Sequence, residues 1–352
     1  MKRIVIKIGS SSLIKGTGLN EANMRALVEA IASFKQRNVA VVLVTSGAIA
    51  AGQQRVGLKR KPDAIEKKQA LAAIGQPILM EEYERLFDEY GLKIAQILVN
   101  HDDFGSRTRL KHLSDAFEAL LGFGVVPIVN ENDALTVDEI KVGDNDTLSA
   151  MVSLVVGADR LVLITDVDGL YDGDPGKDDK AKLIERVEVI DERIVSLAGG
   201  SRSSVGTGGM KTKIKAASIA AFAGIETQIA NVKTLSELYK ITEGKSFGTV
   251  FAARKKELSV KQCWLLACAT KKGSITVDDG ARSALFARKS LLSCGVVETR
   301  GNFSSGDAVS VVDEAGAEIA VGITYLSAQE TLKYKRDKNK IVIHANNLAL
   351  RG

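Results

Sequence analysis

The sequence predicts an α/β protein with an open, mostly parallel β-sheet and helices on both of its faces, followed by a smaller, β-rich domain. The first observation is a series of short, continuously apolar runs, which are typical of strands buried on both faces of a parallel sheet. The second is that segments with helical periodicity separate these runs, as in β-α units. The third is that short β-rich runs and glycine turns replace this alternation after about residue 255. We therefore predict two domains, at residues 1–254 and 255–352.

The individual elements follow from local patterns. RIVIKIG (Arg3–Gly9) predicts a first strand that ends at a glycine. Asn20 is expected to cap a helix whose apolar residues recur on one face. Continuous apolar runs predict the later strands, in the segments VAVVLVTSG, KIAQILVN, VVPIVN, RLVLITD and ETQIAN. In the C-terminal region, VVDEAGAEIAV predicts a hairpin.

The composition is that of a soluble globular protein, because 45% of the residues are hydrophobic and 26% are charged. No apolar run is long enough to cross a membrane. The N-terminal sequence MKRIVIKIGSSS alternates like a strand and is interrupted by Lys7, which argues against a signal peptide. We therefore expect a cytoplasmic protein without a membrane partner.

The cysteines are three in number, Cys263, Cys268 and Cys294, and no Cys-x-x-Cys or Cys/His cluster accompanies them. We interpret them as small buried thiols in a reducing cytosol, and neither a disulfide nor a metal site is expected.

The net charge of +5 lies entirely in the C-terminal region, where residues 255–352 hold 15 Lys and Arg against 10 Asp and Glu. This mild basic bias permits contact with a nucleic acid but does not require it. Solvated surface lysines are the better default explanation.

Polar and glycine residues follow the predicted strands at the edge where ligands bind in open α/β sheets, beyond the carboxyl ends of the strands. A structural sheet would also place turn residues there, so the set as a whole carries the prediction. The four strand ends are Lys7–Ser10, Thr45–Gly47, Asn130–Asp133 and Thr165–Asp166.

The loop GTGGMKTK, at residues 206–213, predicts an anion site, because glycines let backbone amides turn toward an anion. It is not a Walker A loop, since Met210 precedes Lys211 where that motif has glycine. A helix is expected just after the glycines, and lysines in its first turns would oppose its dipole unless a phosphate is bound. A flexible loop with solvated lysines remains an alternative.

Two further features are chemically suggestive. VNENDALTVDEIKVGDNDTLSA gathers Asp133, Asp144 and Asp146, which could bind an ammonium group, a metal or a lysine, or could cap a helix. The segment lacks EF-hand spacing and a histidine cluster for zinc. Lys7 interrupts an otherwise apolar strand, where a charge requires a partner, and could reach a phosphoryl group.

Several segments together resemble one known family. They occur in that family's order, as KIGSSSL, VTSGAIAAG, LAAIGQP, PIVNENDA, EIKVGDNDTLSA, LITDVDGLY and GTGGMKTK. Over essentially its whole length, the chain resembles the glutamate 5-kinase branch of the amino acid kinase family. The C-terminal segments VDDGARSALFARKSLLSCGV, GNFSSGDAVSV and IAVGITY resemble a PUA domain. The resemblance implies an amino acid kinase fold followed by a PUA domain.

The resemblance also implies an activity, which is MgATP-dependent phosphorylation of the γ-carboxylate of L-glutamate to L-glutamyl 5-phosphate, at the start of proline biosynthesis. Lys7 and Lys213 would flank the transferred phosphoryl group, and Asp146 would orient them. Glutamate would be held by Ser46, Gly47, Asp133 and Asn145. The ATP site would be lined by Lys7, Thr165, Asp166, Thr207, Gly208, Gly209, Met210, Lys211, Thr212 and Lys213. Mg²⁺ would be held mainly by the nucleotide, without a dedicated protein metal site.

The implied partners are L-glutamate and ATP, proline as a feedback inhibitor, further copies of the chain in a dimer or tetramer, and a glutamyl phosphate reductase. RNA binding through the PUA domain is not expected, although that module binds RNA in other proteins. Two alternatives remain open: another amino acid kinase activity, on aspartate, acetylglutamate, carbamate or UMP, and an RNA-binding protein with a vestigial kinase domain.

Overall fold

The computed structural model describes the whole chain except residues 1, 17, 61, 136–144, 177, 179, 199–208, 255–257, 268, 336 and 352. The chain forms two compact units, of which the first comprises Met1–Asp103 with Thr108–Glu257 and the second Phe104–Arg107 with Leu258–Gly352. Among the described helices, none has the length and apolar character needed to cross a membrane.

The elements of the first unit alternate between strands and helices along the chain. They are β1 (Arg3–Ile8), α1 (Ser10–Leu13), β2 (Ile14–Lys15), β3 (Gly18–Leu19), α2 (Glu21–Gln36), β4 (Ala40–Val44), α3 (Ala48–Arg55), α4 (Ile65–Asp88), β5 (Ile94–Val99), α5 (Arg107–Gly122), β6 (Val126–Glu131), α6 (Asn145–Val155), β7 (Arg160–Thr165), β8 (Arg186–Val187), α7 (Glu192–Leu197), α8 (Met210–Phe222), β9 (Glu226–Asn231) and β10 (Thr249–Phe251).

Eight of these strands form one sheet, in the order β5-β6-β4-β1-β7-β9-β10-β8. The first six strands in this order, β5, β6, β4, β1, β7 and β9, are all parallel, and β10 is antiparallel to β9. The predicted open, mostly parallel sheet is therefore confirmed. Each predicted strand of the first unit is present, and the Asn20 side chain caps α2 by accepting a hydrogen bond from the backbone N–H of Asn23.

Helices cover both faces of the sheet. Successive side chains of a strand point to opposite faces, so each strand contributes to the packing on both sides. In β1, Ile4, Ile6 and Ile8 join a buried core with residues of α2 and α4. Lys7 therefore points to the other face, where α6 packs against β1 and β7 and α8 packs against α6. This alternation places one lysine of an apolar strand on the face of the sheet that α6 covers.

Helices α3 and α4 touch backbone to backbone, and glycine makes this possible. A Cβ atom on Gly75 of α4 would lie 1.9 Å from the carbonyl oxygen of Ala48 in α3. A Cβ atom on Gly52 of α3 would lie 2.0 Å from the carbonyl oxygen of Leu71. Any larger residue at either position would push the helices apart. The contact fixes the position of α3, which begins directly after the strand-end residues of β4.

The second unit is β-rich, as predicted. Its elements are α9 (Val260–Ala267), β11 (Lys271–Val277), α10 (Asp279–Phe286), β12 (Leu291–Leu292), β13 (Val296–Gly301), β14 (Ala308–Val312), β15 (Glu318–Ile323), α11 (Ala328–Lys333), β16 (Ile341–Ile343) and β17 (Leu348–Leu350). Five strands form the sheet β13-β11-β14-β15-β17, and β12 pairs with β16. The predicted hairpin is the antiparallel pair β14 and β15.

The interpretation of the cysteines as buried thiols is wrong for one of them. Cys263 is buried in α9, but Cys294 is exposed because it lies in the short 3-10 turn Ser293–Gly295 at the surface. Cys268 lies outside the described residues.

Candidate active site

The carboxyl ends of four neighbouring strands, β6, β4, β1 and β7, meet at one edge of the sheet, because these strands are adjacent and parallel. The polar strand-end residues of the sequence therefore come together here. Helix α6 begins at the same edge, and all its residues from Asn145 to Leu154 are buried. Its first two residues reach two different parts of the site.

Asp146 holds two lysines at once. Its Oδ1 lies 2.6 Å from Lys7 Nζ, and its Oδ2 lies 3.2 Å from Lys213 Nζ. Both lysines are only 5% exposed and the aspartate 1%. The three residues come from β1, α6 and α8. The structure thus assembles a pair of buried ammonium groups around one carboxylate at the carboxyl edge of the sheet.

The electrostatics of this cluster follow from burial and charge. Burial opposes ionisation of Asp146, but the ammonium groups of Lys7 and Lys213 outweigh it and hold the pKa of this carboxyl well below its usual range. A hydrogen bond from the Thr212 hydroxyl, 2.7 Å from Oδ2, adds to the effect. Burial lowers the pKa of Lys213, and Asp146 opposes that shift. Two cations against one anion leave the cluster with a net positive charge.

Asn145, the preceding residue, lies beside the ends of β4 and β6. Its Nδ2 donates to the carbonyl oxygen of Thr45 at 2.7 Å, and lies 2.9 Å from Ser46 Oγ and 3.1 Å from Asn130 Oδ1. Its Oδ1 is buried and has no hydrogen-bond partner among the described residues. Buried acceptors normally have a partner. This oxygen is therefore a candidate acceptor for a hydrogen bond from a ligand.

Ser46 and Gly47 lie between β4 and α3. Gly47 caps the N-terminus of α3 with φ of 107°, a left-handed conformation that favours glycine. Ser46 reaches Asn145, so two of the predicted glutamate-binding residues are in contact.

Asp133 lies in the turn after β6 and is half-buried. Together with Glu131, Asn132 and Gln76, it lines a cavity of about 220 Å³ between the end of β6 and the side of α4. A carboxyl side chain therefore forms part of the lining of this cavity.

Thr165 and Asp166 end β7 on the other side of β1. The Thr165 hydroxyl donates to Asp166 Oδ1 at 3.1 Å, and the charge of Asp166 acts on Lys213. Asn231, at the end of β9, donates to the Asp166 carbonyl oxygen at 3.3 Å and to Asp168 Oδ1 at 2.7 Å. These contacts hold the turn after β7 in place beside the lysine cluster.

The glycine–lysine loop is described from Gly209 onward, and Gly209 caps the helix α8 that begins at Met210, as predicted. Lys211 is exposed, Thr212 and Met210 are half-buried and Lys213 is buried. The predicted residues Thr207 and Gly208 lie outside the described residues, as does Asp144. Of the three lysines near the start of α8, Lys213 is the one that joins the cluster on Asp146.

Sequence reasoning missed several supporting roles. It assigned Thr212 to the nucleotide alone, whereas its hydroxyl also binds Asp146. It assigned no role to Asn231, which supports the β7 turn, or to Gln76, which contacts Asn130. The sequence did offer one signal for Asn231 and Gln76. Each is an amide side chain among apolar residues, and a buried amide needs a hydrogen-bond partner.

The amino acid kinase family matches residues 2–231, and the PUA domain family matches residues 273–345. Among curated proteins, the glutamate 5-kinase of Thermoanaerobacter sp. (strain X514) is 45% identical, over 99% of this chain and 97% of its own length. The glutamate 5-kinase of Carboxydothermus hydrogenoformans is 46% identical, over 99% of this chain and 98% of its own length.

Among solved structures, carbamate kinase from Giardia lamblia bound to AMP-PNP superposes with a TM-score of 0.51 at 16% identity. The match covers 72% of this chain and 98% of the carbamate kinase. At this identity the likeness concerns the fold alone.

Proposed function

The chain belongs to the amino acid kinase family, and from this premise we propose that it transfers the γ-phosphoryl group of ATP to the γ-carboxylate of L-glutamate. The curated relatives named glutamate 5-kinase match nearly its full length at about 45% identity, which supports this acceptor over the other acceptors of the family. The reaction forms L-glutamyl 5-phosphate and ADP, the first step of proline biosynthesis. The chain is thus a phosphotransferase with a carboxyl group as acceptor.

The observation that carries the mechanism is the pair of buried lysines held by Asp146. Phosphoryl transfer asks a protein mainly for positioning and for charge stabilisation. The transferred group carries negative charge on its equatorial oxygens, and Lys7 and Lys213 supply two cations for them. Asp146 holds both lysines, and because its own pKa is low it is a carboxylate at neutral pH.

No general base is needed, because the γ-carboxylate of glutamate is ionised at neutral pH. One of its oxygens attacks the γ-phosphorus of ATP. The bond between this phosphorus and the β,γ-bridging oxygen breaks, and ADP leaves with the electron pair. No proton changes place in the step.

Glutamate is placed on the Asn145 side of α6. Asp133 and Asn145 Oδ1 suit its ammonium group, since one is anionic and the other is a buried acceptor without a partner among the described residues. Ser46 and Gly47 at the start of α3 lie near the reacting carboxylate. The consecutive residues Asn145 and Asp146 then link the two substrates, because one faces the amino acid and the other the phosphoryl group.

We assign ATP to the side of Thr165, Asp166 and the start of α8, and we propose that residues 207–213 bind its phosphates. The described residues contain no group of three or more His, Cys, Asp or Glu side chains placed to hold a metal. Mg²⁺ would enter with the nucleotide and be held mainly by phosphate oxygens, as it often is. When bound, it supplies further positive charge at those oxygens.

Three partner assignments belong to the same proposal and rest on the family. They are feedback inhibition by proline, assembly with further copies of the chain, and transfer of the labile acyl phosphate to a reductase. RNA binding by the second unit is not part of the proposal.

The test is glutamate-dependent release of ADP from MgATP in the presence of hydroxylamine, which traps an acyl phosphate as the hydroxamate. ADP and hydroxamate are expected to form together with L-glutamate, and not with aspartate, N-acetylglutamate, carbamate or UMP. Turnover with one of those acceptors instead, or no turnover by a folded, ATP-binding sample, would refute the proposal.

A further inference from the structure

A chain of side-chain amides runs from the edge of the sheet to the site. Gln76 Nε2 of α4 donates to Gln96 Oε1 of β5 at 2.9 Å. Asn130 Nδ2 of β6 donates to Gln76 Oε1 at 2.8 Å. Asn145 Nδ2 in turn lies 3.1 Å from Asn130 Oδ1. Four amides from four elements are therefore joined end to end, and the last of them is a predicted substrate ligand.

The direction of this chain is fixed by the backbone. The carbonyl oxygen of Thr45 can only accept, so Asn145 must turn its Nδ2 toward it. The backbone N–H of Glu131 can only donate, at 2.9 Å, so Asn130 must turn its Oδ1 toward that group. Asn130 then presents Nδ2 to Gln76, which must accept with Oε1.

The consequence is an Asn145 amide with one allowed orientation. Its nitrogen is fully engaged, and its buried oxygen is left without a partner among the described residues. Asn130 is 1% exposed, and Gln76 Oε1 is the acceptor of its buried Nδ2, so Gln76 and the backbone N–H of Glu131 together keep Asn130 from turning over. If the Asn130 amide were turned over, its Nδ2 would face Asn145 Nδ2, and two hydrogen-bond donors would meet.

We propose that Gln76 is a positioning residue for substrate recognition, acting through Asn130 to keep the Asn145 oxygen available to the ammonium group of the amino-acid substrate. This inference rests on the proposed function. It assigns Gln76 no contact with the reacting atoms. The residue is expected to affect recognition of the ammonium group selectively, and to leave the nucleotide side of α6 unchanged.

The test uses glutarate, which has both carboxylates of glutamate but no ammonium group, as a competitive inhibitor. Gln76→Met removes the acceptor of Asn130 Nδ2 and keeps a side chain of similar volume. We expect the KM for glutamate to rise about tenfold, the effect of about one hydrogen bond to a charged group. The inhibition constant of glutarate and the KM for ATP should stay within about twofold of wild type. Gln36→Met, on the exposed end of α2, is the matched control and should change none of these constants.

Gln76→Glu provides the rescue, because it keeps an acceptor for Asn130 Nδ2. Its KM for glutamate should lie closer to wild type than that of Gln76→Met. If Gln76→Met does not fold, as judged by thermal unfolding, Gln96→Met releases the Gln76 amide from its outer partner. That variant should also raise the KM for glutamate selectively, but by a smaller factor than Gln76→Met.

The outcomes separate this inference from the proposed function. Glutamate-dependent turnover by wild type with an unchanged KM in Gln76→Met, or an equal loss for glutamate and glutarate, would overturn the role of Gln76 alone. A KM increase in Gln76→Glu as large as in Gln76→Met would also overturn it. Absence of glutamate turnover in wild type would remove the proposed function and the inference with it.

Discussion

Lys7 Nζ and Asp146 Oδ1 lie 2.6 Å apart, although one residue belongs to the first strand of the sheet and the other to a helix that follows the fourth parallel strand, β6. The contact forms because α6 crosses the same face of β1 to which Lys7 points. A lone lysine in an apolar strand thus receives its partner from a distant segment. Lys213 reaches the other oxygen of the same carboxylate from α8.

Removing Lys213 should impair catalysis more than folding. In Lys213→Ala, Asp146 keeps its contacts with Lys7 and Thr212, so its charge stays paired. The transition state loses one of two cations, and we expect kcat to fall about 10²- to 10³-fold. Lys215→Ala, two residues along the same helix and exposed, should keep wild-type kcat. Steady-state kinetics and a melting curve for each variant test this, and normal turnover in folded Lys213→Ala would remove the lysine from the mechanism.

The low pKa of Asp146 makes its contribution to stability depend on pH. Because the folded-state pKa lies below the unfolded value of about 3.9, the contribution is fully present above that value and is lost as the pH falls toward the folded-state pKa. Asp146→Asn removes the carboxylate that both buried lysines contact, and we expect a loss of about 3–5 kcal/mol in the free energy of unfolding at pH 5 to 6. This difference from wild type should shrink between about pH 4 and pH 3.

Urea unfolding of both proteins across that range measures the difference. Asp88→Asn, at the exposed end of α4, serves as the control and should differ little from wild type at any of these pH values. A difference for Asp146→Asn that stays constant down to pH 3 would contradict the assigned direction of the pKa shift.

Asp133→Ala should weaken glutamate binding and spare the nucleotide. Asp133 lines the cavity beside β6, away from the lysine cluster's contacts with α8. Loss of a charge-assisted bond to the substrate ammonium should raise the KM for glutamate about ten- to hundredfold. The KM for ATP serves as the internal control and should change little. An unchanged KM for glutamate would remove Asp133 from the substrate site.

Much of this arrangement could be predicted from the sequence, for identifiable reasons. Continuous apolar runs are a strong signal for buried parallel strands, and each of those segments forms a strand of the sheet. Parallel strands bring their carboxyl ends to one edge, so Ser46, Lys7 and Thr165 could be assigned to one region without coordinates. The start of α8 at Met210 followed from the glycines before it.

What the sequence did not reveal depends on the relative placement of distant segments. The family resemblance singled out Lys213, but no local pattern distinguishes it from Lys211, because the rotation of α8 against α6 decides which lysine is buried. The amide chain through Gln76 joins four elements, and a glutamine in a helix has no local pattern that names its partner. The exposure of Cys294 likewise depends on a surface turn rather than on its hydrophobic neighbours.

The glycine contact between α3 and α4 gives a prediction that links packing to substrate binding. In Gly75→Ala the new methyl group would meet the Ala48 carbonyl oxygen at 1.9 Å and the Gly52 nitrogen at 2.3 Å, so backbone must move. Overpacking of this kind costs about 1–3 kcal/mol, and the melting temperature is expected to fall by about 2–12 °C. Because α3 begins directly after Ser46 and Gly47, its displacement should also raise the KM for glutamate.

Gly122→Ala is the matched control, since it too replaces a helical glycine but meets no atom within 4 Å. There the alanine lowers the entropy of the unfolded chain without a clash, so the melting temperature should stay the same or rise slightly. Differential scanning calorimetry of the two variants, with glutamate kinetics of each, separates the cases. Equal melting temperatures for Gly75→Ala and wild type would show that α3 and α4 can part without loss, and that their close approach does not hold the residues after β4 in place.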